Sequence, residues 1–168
     1  MSIKEYSFKD SVSYFLPILL MIIVPVVIWI TWHVKTGRYT NMDVSDRTQR
    51  KTLYVFIAIC VLAYLVYNYV KNDYVDFLML FILILVFVLQ ISNLFIKSSM
   101  HTAFNIFVAA LFFVLDWKMG IIWLGIAFLV GITRIILKRH TPKEVLMGAL
   151  IAFMISFIYL YCNIQFQH

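Results

Sequence analysis

Residues 15–32 read FLPILLMIIVPVVIWITW, a run that contains no charged side chain. About 20 residues of helix cross the hydrocarbon core of a bilayer, and inside it every backbone N–H and C=O needs an internal partner. A run of this length and polarity therefore reads as a membrane helix. It is longer than the core of a secretory signal, and no small-residue cleavage site of the A-x-A kind follows it. It is expected to remain as the first span.

Working outward, similar runs recur through the 168 residues, of which 64% are hydrophobic and only 13% charged. That is more apolar surface than a soluble domain of this length can cover. The pattern predicts an all-α integral membrane six-helix bundle, one transmembrane domain over residues 1–168, with helices near 12–33, 53–70, 75–95, 102–116, 118–133 and 142–162. The fourth and fifth are short for a full crossing. Trp29 and Trp32 at the end of the first helix, and Trp117 and Trp123 around the turn after the fourth, read as interfacial anchors. Pro25 is expected to kink the first helix. Cys60 and Cys162 lie in or beside apolar runs and read as small buried hydrophobes, with no disulfide framework or metal site implied.

Six crossings put the connections 34–52, 96–101 and 134–141 on one membrane face. The net charge of +6 is concentrated there, in Lys35, Arg38, Arg47, Arg50, Lys51, Lys97, Arg134, Lys138, Arg139 and Lys143. Short basic connections in a membrane protein match anionic headgroups, so lipid rather than nucleic acid is the expected partner. The positive-inside rule would make this face cytoplasmic, unless the charges are held there by chemistry.

The same connections carry the polar residues able to do chemistry. His101 and His140 stand at expected helix starts, where an imidazole meets water and headgroups and can exchange a proton or attack as a neutral nucleophile. Arg47 and Arg50, three apart, Lys97 and Arg134 supply cationic groups suited to phosphoryl oxygens, and Ser99 and Thr102 supply hydroxyls. A basic side chain that merely snorkels to the surface is the ordinary alternative for each. Glu144 lies four residues after His140 and can be read in two ways. It either orients the imidazole from one turn away, or completes a capping box in which Thr141 is N-cap and Pro142 the first helical residue, or serves both in different states. Asp43 and Asp46 could pair with Arg47 or Arg50. The basic surroundings would repel a cation, so an anionic substrate fits better than a metal.

In this order the residues resemble the type 2 phosphatidic acid phosphatase family of membrane lipid phosphatases, related to vanadium-dependent haloperoxidases. The family's last motif is S-R, five residues, H, three residues, D; here Thr133-Arg134, five residues, His140, three residues, Glu144. Its middle motif P-S-G-H corresponds to Ser98-Ser99-Met100-His101. Its first, a lysine followed after six residues by R-P, corresponds to Asp43, Arg50 and Lys51, with Arg47 as partial compensation. Glutamate for aspartate keeps the charge, whereas methionine for glycine crowds a backbone approach to phosphate.

The resemblance implies hydrolysis of a lipid phosphomonoester or diphosphate through a phosphohistidine. His140 would be the nucleophile, Glu144 its orienting partner and His101 the general acid, with Arg50, Arg134, Lys97, Arg47 and Ser99 binding substrate. No cofactor and no metal is required. The partners implied are a lipid phosphate substrate and bilayer lipids, in a bacterial inner membrane with the site facing the periplasm or exterior. A noncatalytic protein that binds anionic lipid or a membrane partner is the alternative, and a transporter component a third. The sequence does not give the oligomeric state.

Overall fold

The computed structural model describes residues 8–44 and 46–166. The described residues form α1 (Phe8–Ile18), a π-helical turn (Leu19–Ile23), α2 (Val24–Lys35), α3 (Arg47–Asn72), α4 (Phe77–Phe95), α5 (Met100–Leu115), α6 (Trp117–Ile136) and α7 (Pro142–Phe166). The first three pieces run on as one rod, so six helical rods stand where six were expected. Five are long and apolar enough to cross a membrane, and α5 is a shorter apolar helix. The protein is an all-α integral membrane protein. The fifth predicted helix is not short: α6 reaches Ile136, three residues past the expected end. Of the two helices expected to be short, only α5 remains so.

Pro25 explains the irregularity in the first rod. A proline ring has no N–H to give and crowds the carbonyl one turn before it. The turn before Pro25 is widened, and the Val24 N–H reaches back to the carbonyl of Leu19. Inserting one residue into a turn in this way is a usual means of accommodating such a break.

The chain packs as two compact units, 1–83 and 84–168, with the division inside α4. In the first unit, α3 begins at Asp46, whose carboxylate accepts from the N–H groups of Thr48 (2.8 Å) and Gln49 (3.1 Å). It ends at Asp73, which adopts a left-handed conformation and returns its N–H to Tyr69. Asp76 follows, buried, and caps the start of α4 by accepting from the Met79 N–H at 3.1 Å. Its other oxygen accepts from the hydroxyls of Tyr14 (2.9 Å) and Tyr64 (3.1 Å). One carboxylate thereby ties α1, α3 and α4. Trp29 is more than a surface anchor: its ring stacks on Phe56 with centroids 4.1 Å apart, and its N–H donates to the Tyr39 hydroxyl at 3.1 Å. Trp32 does stay exposed.

In the second unit α5 packs against both α6 and α7, while α6 and α7 meet only slightly. Asp116 alone joins α5 to α6, ending the first and capping the second through the Lys118 N–H at 2.9 Å. With α5 between them, α6 and α7 form two walls around a helical floor.

The Asp76 cluster sets a testable energy. Asp76→Ala removes the acceptor for two tyrosine hydroxyls and one backbone N–H, and should lower stability by about 2–4 kcal/mol, read by reversible unfolding in mixed micelles. Tyr14→Phe, which keeps the ring and leaves the carboxylate two partners, should cost about 1 kcal/mol.

Candidate active site

The start of α7 resolves the two readings of Glu144 by satisfying both. The Thr141 hydroxyl accepts from the Glu144 N–H at 3.3 Å, and Glu144 Oε2 accepts from the Thr141 N–H at 3.0 Å. That is the reciprocal capping box. The same Oε2 lies 3.0 Å from His140 Nδ1. An ionised carboxylate can only accept, so Nδ1 carries the proton, and in the neutral ring Nε2 keeps its lone pair. His140 is buried, 5% exposed. The contact holds the ring in one orientation at the mouth of α7.

The backbone before His140 is fixed just as closely. The carbonyl of Arg134, in the last turn of α6, accepts from the N–H groups of Arg139 (3.0 Å) and His140 (3.2 Å), and Lys138 N–H donates to Ile135 at 2.9 Å. These are the paired bonds of a Schellman ending, with Lys138 in the left-handed position at φ 53°. Glycine usually fills that place; the sequence gives lysine, which hid the motif.

Two ties then join this corner to the start of α5. Lys97 Nζ donates to the carbonyl of Arg139 at 3.0 Å, and the Ser99 N–H donates to the carbonyl of Glu144 at 3.0 Å. Ser98 and Ser99 are fully buried. Ser99 caps α5: its hydroxyl oxygen accepts from the Thr102 N–H (3.4 Å) and the Thr102 hydroxyl (3.0 Å). His101 is the second residue of α5 and is partly buried, and its carbonyl accepts from the Asn105 amide at 2.8 Å.

The close approach depends on a residue that sequence reasoning did not single out. A Cβ on Gly148 would stand 2.5 Å from the carbonyl oxygen of Ser99 and 3.0 Å from its nitrogen. Only a glycine lets the Ser99 backbone lie flat on α7. A signal was present: Gly148 sits one turn after Glu144 on the same face, and a glycine inside a helix costs about 1 kcal/mol against alanine, which asks for a packing reason.

Of the predicted residues, Lys97, Ser99, Arg134, His140 and Glu144 thus belong to one connected set, with His101 two positions beyond Ser99. The amino ends of α5 and α7 both lie in it, with Arg134, Lys138, Arg139 and Lys143 close by in sequence. Helix amino ends and basic side chains both favour a phosphoryl group. Arg47 and Arg50 belong to the first unit. Arg50 is buried at 2% exposure, donates from Nε to the Val44 carbonyl at 2.9 Å, and lies beside the Tyr54 hydroxyl. Val44 has φ 45°, a left-handed conformation costing a β-branched residue about 1–3 kcal/mol. A strained valine carbonyl fixing a buried arginine is the arrangement expected where the side chain's direction matters.

Gly148→Ala should lower stability by about 1–3 kcal/mol, because backbone and not a flexible side chain must move. Gly125→Ala, where the added carbon meets nothing within 4 Å, should be neutral or gain up to about 1 kcal/mol. Unfolding of both variants in the same micelles checks the contrast.

Residues 89–167 match the family model of the PAP2 superfamily, a stretch that covers nearly all of the second unit and none of α1 to α3. No curated protein and no solved structure matches the chain. The unit that holds His101, His140 and Glu144 is thus similar to the PAP2 superfamily, a likeness that suggests phosphatase activity on phosphate esters.

Proposed function

We propose that this protein hydrolyses a lipid phosphomonoester or diphosphate by a metal-independent double displacement on His140. The observation that carries the reading is the 3.0 Å contact from His140 Nδ1 to Glu144. It supports a tautomer in which Nδ1 donates to the carboxylate and Nε2 serves as the nucleophilic atom. In the first step Nε2 forms a bond to phosphorus while the bond from phosphorus to the leaving oxygen breaks. His101 delivers a proton to that oxygen, and the Glu144 carboxylate stabilises the positive ring. Water then attacks the phosphohistidine, the P–N bond breaks, His101 takes the water proton, and phosphate departs.

The phosphoryl oxygens need cationic and hydrogen-bond donors in the transition state. Arg134 is assigned to them, as is Ser99, whose own hydroxyl proton is still available for donation. Lys97 gives one proton to Arg139 and has two others to offer. Arg50 and Arg47 carry the same assignment from the motif order in the sequence alone. The bilayer keeps the lipid tail, and only the head enters the polar corner. We place the site on the periplasmic or outer side of a bacterial inner membrane, following the family's usage. Labelling of Lys143→Cys, in a chain carrying Cys60→Ala and Cys162→Ala, by a membrane-impermeant reagent on intact cells tests that side.

Phosphate release by purified protein, measured on a panel of lipid phosphates with EDTA present, tests the chemistry. Release should persist in EDTA, disappear in His140→Ala, and fall about 10²–10⁴-fold in His101→Ala. Label from a ³²P-substrate, quenched in alkali, should appear on wild type and not on His140→Ala. Folded protein that releases nothing from any lipid phosphate would turn the reading to a lipid-binding member without catalysis.

A further inference from the structure

The carboxyl end of α3 carries polar groups that the phosphatase chemistry does not use. A cavity of about 410 Å³ opens there between α1, the last turns of α3 and the turn that follows. Its volume falls within the roughly 300–1,000 Å³ of small-molecule sites. Four tyrosines, Tyr14, Tyr64, Tyr67 and Tyr74, line it together with Asn68 and Lys71. On α3 the spacing from Tyr64 through Tyr67 and Asn68 to Lys71 keeps these side chains on one helix face. The helix has 26 residues, about 39 Å, against a hydrocarbon core of about 30 Å. Its final turns therefore enter the headgroup layer, at the membrane face away from Arg47 and Arg50, where the helix begins.

The direction of the hydrogen bonds sets what this cavity can hold. The Tyr14 and Tyr64 hydroxyls both give their protons to Asp76 Oδ2, at 2.9 and 3.1 Å. Each phenol oxygen has only lone pairs left for a ligand, so this end of the cavity accepts and does not donate. Donation to a carboxylate also polarises the phenols toward negative charge, and tyrosine rings attract a cation. This floor is firm. Tyr64 and Asn68 are buried, and Asn68 is held from both sides, donating to the Tyr74 carbonyl at 3.1 Å and accepting from the Asn72 amide at 2.7 Å. The mouth has the opposite character. Lys71 is exposed and donates from Nζ to the Tyr67 hydroxyl at 3.1 Å, which keeps the ammonium beside the cavity with two further protons to give. From Tyr64 to Lys71 the two ends lie about 10 Å apart along the helix axis.

A matching ligand has a donor cation at its inner end and an anionic acceptor at its outer end. The turn after α3 sets Lys71 against Asp73 and Asp76, so no net positive charge there draws a purely anionic ligand. A quaternary ammonium has no N–H to offer the phenol oxygens. We infer that the cavity binds an aminoethyl phosphate group, as the headgroup of an ethanolamine phospholipid of that leaflet, with its primary ammonium at Tyr14 and Tyr64 and its phosphate at Lys71. The lipid is held there and not cleaved, and the inference stands apart from the phosphatase reading.

The test titrates full-length protein in detergent micelles with dioleoyl phosphatidylethanolamine, phosphatidylcholine or phosphatidylglycerol at equal mole fraction, and counts bound lipid by native mass spectrometry. Phosphatidylethanolamine should bind at least about 10-fold more tightly than either of the others. Tyr14→Phe keeps a ring and removes an acceptor oxygen, and should cut the preference over phosphatidylcholine by about 5-fold. Lys71→Gln, an exposed change, should weaken both zwitterionic lipids by about 5-fold and leave their ratio unchanged. His140→Ala should bind as wild type does. Glycerophosphoethanolamine, the headgroup without tails, separates the two sources of this chemistry. Displacement of the lipid at comparable concentration keeps the site and makes its ligand a soluble aminoalkyl phosphate; no displacement assigns it to the bilayer. Equal binding of the three lipids, a preference for phosphatidylglycerol, or binding that survives Lys71→Gln unchanged and is lost in His140→Ala would overturn the assignment.

Discussion

The backbone hydrogen bond from the Ser99 N–H to the Glu144 carbonyl is the constraint on which the candidate site of the second unit depends most directly. It joins the starts of α5 and α7, and each start carries one of the two histidines. Such a bond needs the two chains at backbone distance. That distance exists because Gly148 has no side chain to hold Ser99 away. The carboxylate of the same Glu144 closes the α7 cap and orients His140. Removing any of these members loosens the others, because they share atoms as well as space.

Much of this was legible beforehand. Hydropathy anticipated six apolar helices, and the starts of α5 and α7 fell within two residues of expectation, with Thr141 readable as a cap; α3, by contrast, begins at Arg47, six residues before the expected 53, because Asp46 caps a polar first turn that hydropathy does not register. The four-residue spacing from His140 to Glu144 was readable too. Of the roles the sequence left open for Glu144, one oxygen fills capping and orientation together in a single arrangement, which spacing alone cannot distinguish from either role by itself.

Other features were hidden for identifiable reasons. Lys138 occupies a left-handed position that glycine normally announces, so the Schellman ending that fixes His140 left no mark in the composition. The π turn before Pro25 is a local answer to a proline, and pattern predicts the disturbance but not its form. Asp76 looks like a loop acid, yet its partners Tyr14 and Tyr64 are far away along the chain. Contacts of that kind follow from packing and have no sequence period to betray them. The fifth helix was underestimated because Arg134 reads as the end of an apolar run, whereas the backbone continues through it to Ile136.

The shortness of α5 is taken up inside the protein. Its 16 residues span about 24 Å, some 6 Å less than a typical hydrocarbon core. Around a helix surrounded by lipid, mismatch of this sign is met by a bilayer that thins, at a cost of fractions of a kcal/mol per ångström. Because α5 packs between α6 and α7, whose 20 and 25 residues are long enough to cross, its deficit falls within protein walls, and only its last residues, such as Val114 and Leu115, stand exposed.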